Sequence, residues 1–255
     1  MFLRVVFALG SLTLIACADA QDAPAAVVAD GRDVDAPPTD DAGALAEWAT
    51  RPAVQAAVRA ARAHWTAQDP GYEEEVRVLA VADGAFTRPG AEEHAVLYLM
   101  ALWPRCCPKV GLGIVEGTPE VGGPGRLVRN VAFEGPTIGV TTVPDIDGDG
   151  LDELALRSAF GMGGDVEESV RLVSVGASGL IERPGASVYR SGCAAGRDGE
   201  EAVRIVATPG NPPTFTAETF ARPGCEGGSW TPSAPPEPLP LDASPDTAAA
   251  VLPVD

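Results

Sequence analysis

Hydrophobic and polar positions alternate with two different periods along the chain, and the change falls near residue 70. Before it, apolar residues recur three and four positions apart, the spacing of one face of a helix, at Val54, Ala57, Val58, Ala61 and Trp65. The triplet Thr50-Arg51-Pro52 indicates a cap followed by proline in the first helical turn. We therefore predict a helical segment over residues 44–69.

Beyond residue 70, short apolar runs are separated by glycine-rich turns, which is typical of β-strands. The runs predict strands at residues 76–81, 95–101, 110–115, 127–133, 137–143, 154–158, 170–175, 203–207 and 214–220. Because turns rather than helices separate them, a doubly wound α/β fold is disfavoured. The prediction is a mainly β fold, with one β-domain over residues 70–230 and an N-terminal helical segment.

The two ends of the chain differ from this pattern. Residues 18–43 consist largely of Ala, Asp and Pro with Arg32 as their base, and residues 231–255 are rich in proline and contain no base. Such segments have too little apolar surface to offset the entropy lost on ordering. We predict a disordered acidic tether over 18–43 and a disordered, proline-rich acidic tail over 231–255.

Charge and composition exclude some classes of function. With 18 Lys and Arg against 36 Asp and Glu, the net charge is −18. This balance disfavours a nucleic-acid-binding protein, which needs clustered Lys and Arg. Much of this acidity lies in the two ends, so it does not mark a binding face. The sequence has one lysine, Lys109, and two histidines, His64 and His94, so it offers few groups for Schiff-base or general acid–base chemistry.

The first residues are predicted to be a targeting segment. Arg4 precedes an apolar run over residues 5–16, which is shorter than the roughly 20 residues that a membrane-spanning helix needs. The run ends Leu14-Ile15-Ala16-Cys17. An ordinary secretory signal with a chance cysteine is one interpretation of this ending.

The same ending resembles the bacterial lipoprotein signal, in which an aliphatic residue and two smaller ones precede the lipidated cysteine. The resemblance implies a signal peptide over residues 1–17, acyl chains on Cys17 and a stable membrane anchor in the cell envelope. In enterobacterial lipoproteins an aspartate after that cysteine marks inner-membrane retention. Ala18 therefore implies outer-membrane delivery, on the periplasmic or surface face.

Four cysteines remain beyond the signal, in a compartment where disulfides persist: Cys106, Cys107, Cys193 and Cys225. They allow three pairings, of which we predict Cys193–Cys225. A disulfide between the adjacent Cys106 and Cys107 would distort the peptide between them, so crossed pairings and two free thiols stay open. A thiol–metal site with His94 matches no common ligand spacing.

Residues 145–153 carry the pattern with the most chemistry, Asp-Ile-Asp-Gly-Asp-Gly-Leu-Asp-Glu. Three alternating carboxylates converge in a curling loop, and Gly148 and Gly150 permit the tight turn. The candidate ligands are the side chains of Asp145, Asp147, Asp149 and Glu153 and the carbonyl of Leu151. Such hard oxygen donors favour Ca²⁺ over Mg²⁺ or zinc. A tight turn without metal is the alternative.

Two families of calcium-binding loop begin with this pattern of alternating aspartates. An EF-hand places a hydrophobic residue at position eight and glutamate at position twelve between helices, but these positions are Asp152 and Leu156, between predicted strands. The segment instead resembles the calcium loop of FG-GAP and VCBS-type repeats, best known from integrin α-subunit propellers. The resemblance implies that Asp145, Asp147, Asp149, the Leu151 carbonyl and Glu153 bind calcium.

A second copy of the loop lies sixty residues earlier, at residues 85–93. Gly90 falls on Gly150 and Glu93 on Glu153, and an apolar strand follows each. The aspartate positions hold Ala85, Thr87 and Pro89, so this copy is not expected to bind calcium. The resemblance implies two repeats, at about 85–133 and 145–183, that form short propeller-like antiparallel β units. Two are too few for a closed propeller.

These observations predict a non-enzymatic envelope lipoprotein whose calcium-stabilised β-domain binds a protein or glycan ligand or acts as a scaffold. Two alternatives stay open. One is a secreted hydrolase that uses carboxylates on β-loops, and the other is a structural spacer without a ligand. No Gly-x-Ser-x-Gly sequence is present to mark a serine hydrolase.

Overall fold

The computed structural model describes residues 25–32, 42–72, 74–102, 107–117, 125–183, 185–196, 199–225, 227–242, 244–245 and 249–254. The predicted signal, Cys17 and Cys106 lie outside the described residues, as does most of the predicted tether. In the part of the chain that is described, no helix has the length and apolar character needed to cross a membrane.

Two helices and two antiparallel sheets form the described chain, so the mainly β prediction is confirmed. The helices are α1 (Ala42–Thr50) and α2 (Pro52–Gln68). The longer strands are β1 (Ala26–Asp30), β2 (Arg77–Gly84), β3 (Glu93–Ala101), β4 (Lys109–Glu116), β5 (Arg126–Glu134), β6 (Thr137–Val143), β7 (Glu153–Met162), β8 (Asp165–Gly176), β9 (Gly179–Glu182), β10 (Ala186–Ser191), β11 (Glu200–Thr208) and β12 (Thr214–Arg222).

The strands divide into a small and a large sheet. The small sheet has the order β2-β3-β4-β5, and the large sheet β6-β7-β8-β10-β11-β12, with β9 also on β8 and β1 also on β11. All nine strands predicted from sequence are present, eight of them within these elements and the ninth, 76–81, beginning one residue before β2. The predicted helical segment consists of two helices, because proline disfavours a helical conformation in the residue before it. Arg51, before Pro52, is extended and occupies the cap position assigned to Thr50, whose hydroxyl donates to the Glu47 carbonyl at 2.8 Å.

The small sheet is covered on both faces, which makes every residue of β3 buried. Ala95, Leu97 and Leu99 point into the core between the two sheets. Val96 and Tyr98 point the other way, under α2. Successive side chains of a strand alternate between faces, so a continuous apolar run is what a strand between two layers requires.

Helix α2 packs on the outer face of the small sheet through the residues that its sequence pattern predicts, namely Val54, Ala57, Val58, Ala61 and Trp65. A buried polar contact fixes its position. Asn130 of β5 is fully buried, and its Nδ2 donates to the Ala57 carbonyl at 2.9 Å. The hydroxyl of Tyr98 donates to Asn130 Oδ1 at 2.7 Å, so each buried group in this contact has a partner.

The sixty-residue shift of the sequence relates two four-stranded antiparallel meanders. It moves β2, β3, β4 and β5 onto β6, β7, β8 and β10, respectively, within a few residues. Each meander is hydrogen-bonded in the same order. The two pack together over one apolar core, to which β3 contributes Leu97 and Leu99 and β7 contributes Leu154 and Leu156.

The prediction of a disordered tail is wrong for the described residues of the C-terminal segment. Thr231–Pro232 and Glu237–Pro238 pair with β12, Ser244–Pro245 with β9, and Ala250–Val251 with β5. These two-residue strands, β13 to β16, cover edges whose backbone groups would otherwise be unpaired. Because proline is tolerated at sheet edges, the proline-rich composition of residues 231–255 did not exclude these pairings.

Part of the predicted tether is also ordered. Residues Ala26–Asp30 form β1, which pairs with β11, and Val28 is buried in the large sheet's own core. The short apolar run at 26–29 packs against this core, although the composition of residues 18–43 as a whole is dominated by Ala, Asp and Pro.

The predicted disulfide is present. Cys193, in a short 3₁₀ turn after β10, is bonded to Cys225, which follows β12, with 5.5 Å between their Cα atoms. The pairing of Cys106 and Cys107 stays open, because Cys106 lies outside the described residues.

Replacing Leu252 by alanine tests the docking of the C-terminal segment. Leu252 is 6% exposed, and its amide donates to the Asn130 carbonyl at 2.9 Å. We expect Leu252→Ala to lower the unfolding free energy by about 2 kcal/mol, as for other buried leucines. Urea denaturation measures this, with Val251→Ala as the control because Val251 is 40% exposed. Equal effects of the two variants would contradict the docked tail.

Candidate metal centre

The candidate loop joins β6 to β7 at one end of the large sheet. Ile146, between the first two aspartates, is fully buried and belongs to the core of the large sheet. Its carbonyl accepts a hydrogen bond from the amide of Gly210, in the turn between β11 and β12, at 2.8 Å. The loop is therefore attached to the core by an apolar side chain and to a neighbouring turn by its backbone.

The structure brings Asp145, Asp147 and Asp149 together. One carboxylate oxygen from each lies within 4.8 Å of the other two. Asp145 and Asp147 are half-buried and Asp149 is exposed, so the group opens to solvent on one side. Oxygen is the only donor element in this group, which suits a hard cation such as Ca²⁺ or Mg²⁺.

Backbone amides of the loop hold these carboxylates in place. Asp145 accepts from the amides of Gly148 at 2.7 Å and Gly150 at 2.8 Å. Asp149 accepts from the amide of Leu151 at 2.8 Å. Gly148 and Gly150 have φ of +80° and +86°, a region that side chains strongly disfavour, so the curl requires glycine at both positions.

The three carboxylates repel one another. Burial, followed by the charges of Asp149 and Asp145, raises the pKa of Asp147, while a hydrogen bond from the Asp149 amide and the charge of Arg183 oppose this shift. Like charges at this separation disfavour ionisation of all members of the group, and a bound cation would remove that penalty. The electrostatics of the loop therefore fit a cation site.

Glu153, the expected fifth ligand, lies beneath the loop. It is 1% exposed, and its Oε2 accepts from the amide of Ile146 at 3.1 Å. Burial, together with the aspartate charges, raises the pKa of Glu153 to about 8, although the hydrogen bond from Ile146 opposes the shift. The mutually close group consists of the three aspartates. Coordination by Glu153 and by the Leu151 carbonyl therefore stays a prediction.

The related loop at residues 85–93 contains the same buried glutamate without the aspartates. Glu93 is 2% exposed, and its Oε2 accepts from the amides of Phe86 at 2.7 Å and Thr87 at 2.8 Å. Phe86 is fully buried, as Ile146 is, and Gly90 has φ of +69°, as expected for the counterpart of Gly150. Glu93 and Glu153 each occupy the ninth position of their loop. This ninth-position glutamate anchors the loop backbone in both copies, whether or not aspartates are present.

The two loops also contact each other through Asp152, a residue to which sequence reasoning assigned no role. The Asp152 amide donates to the Ala85 carbonyl at 2.9 Å, and the Ala85 amide donates to Asp152 Oδ2 at 2.8 Å. A Cβ on Gly150 would lie 3.2 Å from Pro89. The loop that lacks aspartates therefore supports the one that has them. The only sequence signal for this contact is the shared register of the copies.

The thiol–metal alternative loses support because His94 is engaged elsewhere. Its Nδ1 lies 2.5 Å from Asp83 Oδ1, and its Nε2 lies 3.0 Å from the Gly117 carbonyl. Both ring nitrogens therefore already have partners within the protein.

An open groove of about 630 Å³ lies at the opposite end of the large sheet, between the ends of β8, β10, β11 and β12. Four of its charged side chains form two ion pairs. Arg190 donates to Glu167 at 3.2 Å, and Arg222 Nε donates to Glu200 Oε2 at 2.5 Å. The Arg222 guanidinium also stacks on Trp230, 4.6 Å from the ring centre.

Comparison with known proteins adds no family assignment: no family model, curated protein or solved structure matches this chain.

Replacing Glu93 by alanine tests the anchoring role of the ninth-position glutamate. Loss of its carboxylate leaves the buried amide of Phe86 and the half-buried amide of Thr87 without this acceptor, so we expect the unfolding free energy to fall by about 2 kcal/mol or more. Denaturation in urea with EGTA measures this without any contribution from calcium. Glu92→Ala is the matched control, since Glu92 is exposed and should change stability by less than about 0.5 kcal/mol. A Glu93→Ala variant as stable as Glu92→Ala would refute the anchor.

Proposed function

We propose that this chain is a lipid-anchored lipoprotein of the bacterial cell envelope, whose β-domain is stabilised by calcium and serves as a binding or scaffold module. The observation that carries the calcium part is the group formed by Asp145, Asp147 and Asp149, held by backbone amides of a glycine-dependent loop. The membrane part rests on the sequence Leu14-Ile15-Ala16-Cys17 after an apolar run.

Calcium would be held by the three aspartates, with the Leu151 carbonyl, Glu153 and water as further ligands. The ion supplies positive charge where three carboxylates otherwise repel, so binding stabilises the folded loop. Sites of extracellular modules bind calcium with dissociation constants of about 10⁻⁴–10⁻³ M. At about 2 mM calcium such a site adds about 0.6–1.8 kcal/mol to the unfolding free energy.

The two meanders are, in this proposal, propeller-like units of the FG-GAP and VCBS type. Three correspondences support it. The strand order is the same in both, glycines of positive φ occupy equivalent places, and a buried glutamate accepts loop amides in each. Loss of the aspartates from the first copy then leaves one calcium loop per domain.

Anchoring at the outer membrane follows from acyl chains on Cys17 and from Ala18 after it. The disulfide Cys193–Cys225 supports an oxidising compartment such as the envelope. No nucleic acid partner is expected of a chain with net charge −18.

A binding role is favoured over a ligand-free spacer by the groove. Its two ion pairs, Glu167–Arg190 and Glu200–Arg222, offer charged groups of both signs to a polar ligand. A spacer needs no concave surface, whereas the groove has about 630 Å³. The ligand in this proposal is a protein or glycan.

Thermal unfolding with and without calcium tests the metal site. We expect about 2 mM CaCl₂ to raise the Tm of residues 18–255 by about 1–7 °C over EGTA, from the stabilisation above and the usual entropy of unfolding. Asp147→Ala should abolish the shift because it removes one of the three clustered carboxylates.

Asp242→Ala provides the matched control, because Asp242 is exposed and lies outside the loop. This variant should keep the full calcium shift. A wild-type Tm that is the same in CaCl₂ and EGTA would show that the loop is only a tight turn.

Replacing Cys17 by serine tests the anchor. When the full-length chain is expressed in a bacterium with a lipoprotein pathway, we expect it in the membrane fraction, with mass spectrometry showing acyl chains on Cys17. Cys17→Ser should be recovered in soluble fractions with the same melting curve. A wild-type chain with unmodified Cys17 would reject the lipoprotein assignment.

A further inference from the structure

The position of β1 determines where the N-terminal segment leaves the domain. β1 is antiparallel to β11, with Ala26 opposite Ala207 and Asp30 opposite Arg204. The chain therefore joins the large sheet beside Thr208, the last residue of β11. Val28 is 4% exposed, so β1 is held by burial as well as by its hydrogen bonds.

This attachment point and the candidate calcium loop lie at the same end of the large sheet, which we term the loop end. The turn after Thr208 donates the Gly210 amide to the Ile146 carbonyl in the calcium loop at 2.8 Å. The opposite end, termed the groove end, contains the groove and the β7–β8 turn after Met162. Strand β11 has 9 residues, so the two ends are separated by roughly 27 Å.

The spacer between the proposed anchor and β1 is short. From Cys17 to Ala26 there are nine residue steps, which reach about 32 Å when fully extended. A flexible chain of this length has a root-mean-square span of only about 17 Å, less than the length of β11. The anchor can approach the groove end only if the spacer is almost fully extended. A tether as long as the predicted 18–43 would impose no such limit.

We infer that the loop end of the domain faces the phospholipid headgroups and that the groove end points away from the membrane. This inference rests on the proposed lipidation of Cys17. The contact surface is the calcium loop together with the turn at residues 209–213, and its partner is the bilayer surface. The groove is then presented to ligands in solution.

Energy transfer from a labelled domain to a labelled bilayer tests this orientation. The full-length lipidated protein is reconstituted into phosphatidylcholine vesicles that contain a rhodamine lipid, in CaCl₂. A donor dye is attached through an azide-bearing residue at Thr208 or at Met162, both exposed. We expect about two-fold more efficient transfer from position 208, because roughly 27 Å separates the two ends.

Two changes to the attachment should remove the difference between the dye positions. A Gly/Ser insertion of about twenty residues after Ala20 lengthens the spacer without touching the described residues. Gly31→Ala displaces β1, since a Cβ there would lie 1.6 Å from the Val188 carbonyl oxygen. Gly139→Ala is the matched control and should keep the difference, because its Cβ would meet nothing closer than Arg157 Cβ at 3.9 Å.

The outcomes separate the orientation from the anchor. Vesicle-bound, acylated protein with equal transfer from both positions, or with stronger transfer from Met162, overturns the orientation and leaves the lipoprotein assignment intact. Protein that has an unmodified Cys17 and does not sediment with vesicles overturns both. Loss of the difference on spacer insertion, with vesicle binding retained, supports the short spacer as its cause.

Discussion

The apolar core shared by the two sheets is the constraint on which the rest of the structure depends. Each meander is too small to bury its inner face alone, and Leu97 of one and Leu154 of the other lie fully buried in the same cluster. Packing them together places the first hairpin loop of one beside the first hairpin loop of the other. The hydrogen bonds between Ala85 and Asp152, and therefore the support of the candidate metal loop, are consequences of that packing.

Within each loop, different residues hold the backbone and offer charge to a cation. A buried glutamate accepts loop amides in both copies, whereas the aspartate group occurs only at 145–149. This separation explains how one copy can lack aspartates and keep its shape. Glu153 therefore has a structural role that ligand spacing alone does not reveal. It is buried, and it accepts a hydrogen bond from the Ile146 amide, which holds the loop backbone.

Edge strands explain the parts of the chain that composition describes poorly. β1 and the four short C-terminal strands pair with strands of the two sheets, and together they cover β5, β9, β11 and β12. Polar, proline-rich segments can do this because the pairing uses backbone groups, to which buried side chains such as Val28 and Leu252 add apolar contacts. For β1 the consequence reaches beyond stability, because its register sets the end of the domain at which the proposed anchor is attached.

The sequence by itself determined the elements whose signals are local. Apolar runs predicted nine strands, three- and four-residue spacing predicted the buried face of α2, and alternating aspartates located the candidate cation loop. Only the tertiary structure decided the pairing of β1 and the tail, the contact between Ala85 and Asp152, and the placement of Glu153 beneath its loop. Those features depend on which backbone groups meet across long separations in sequence, and local periodicity carries no information about such meetings.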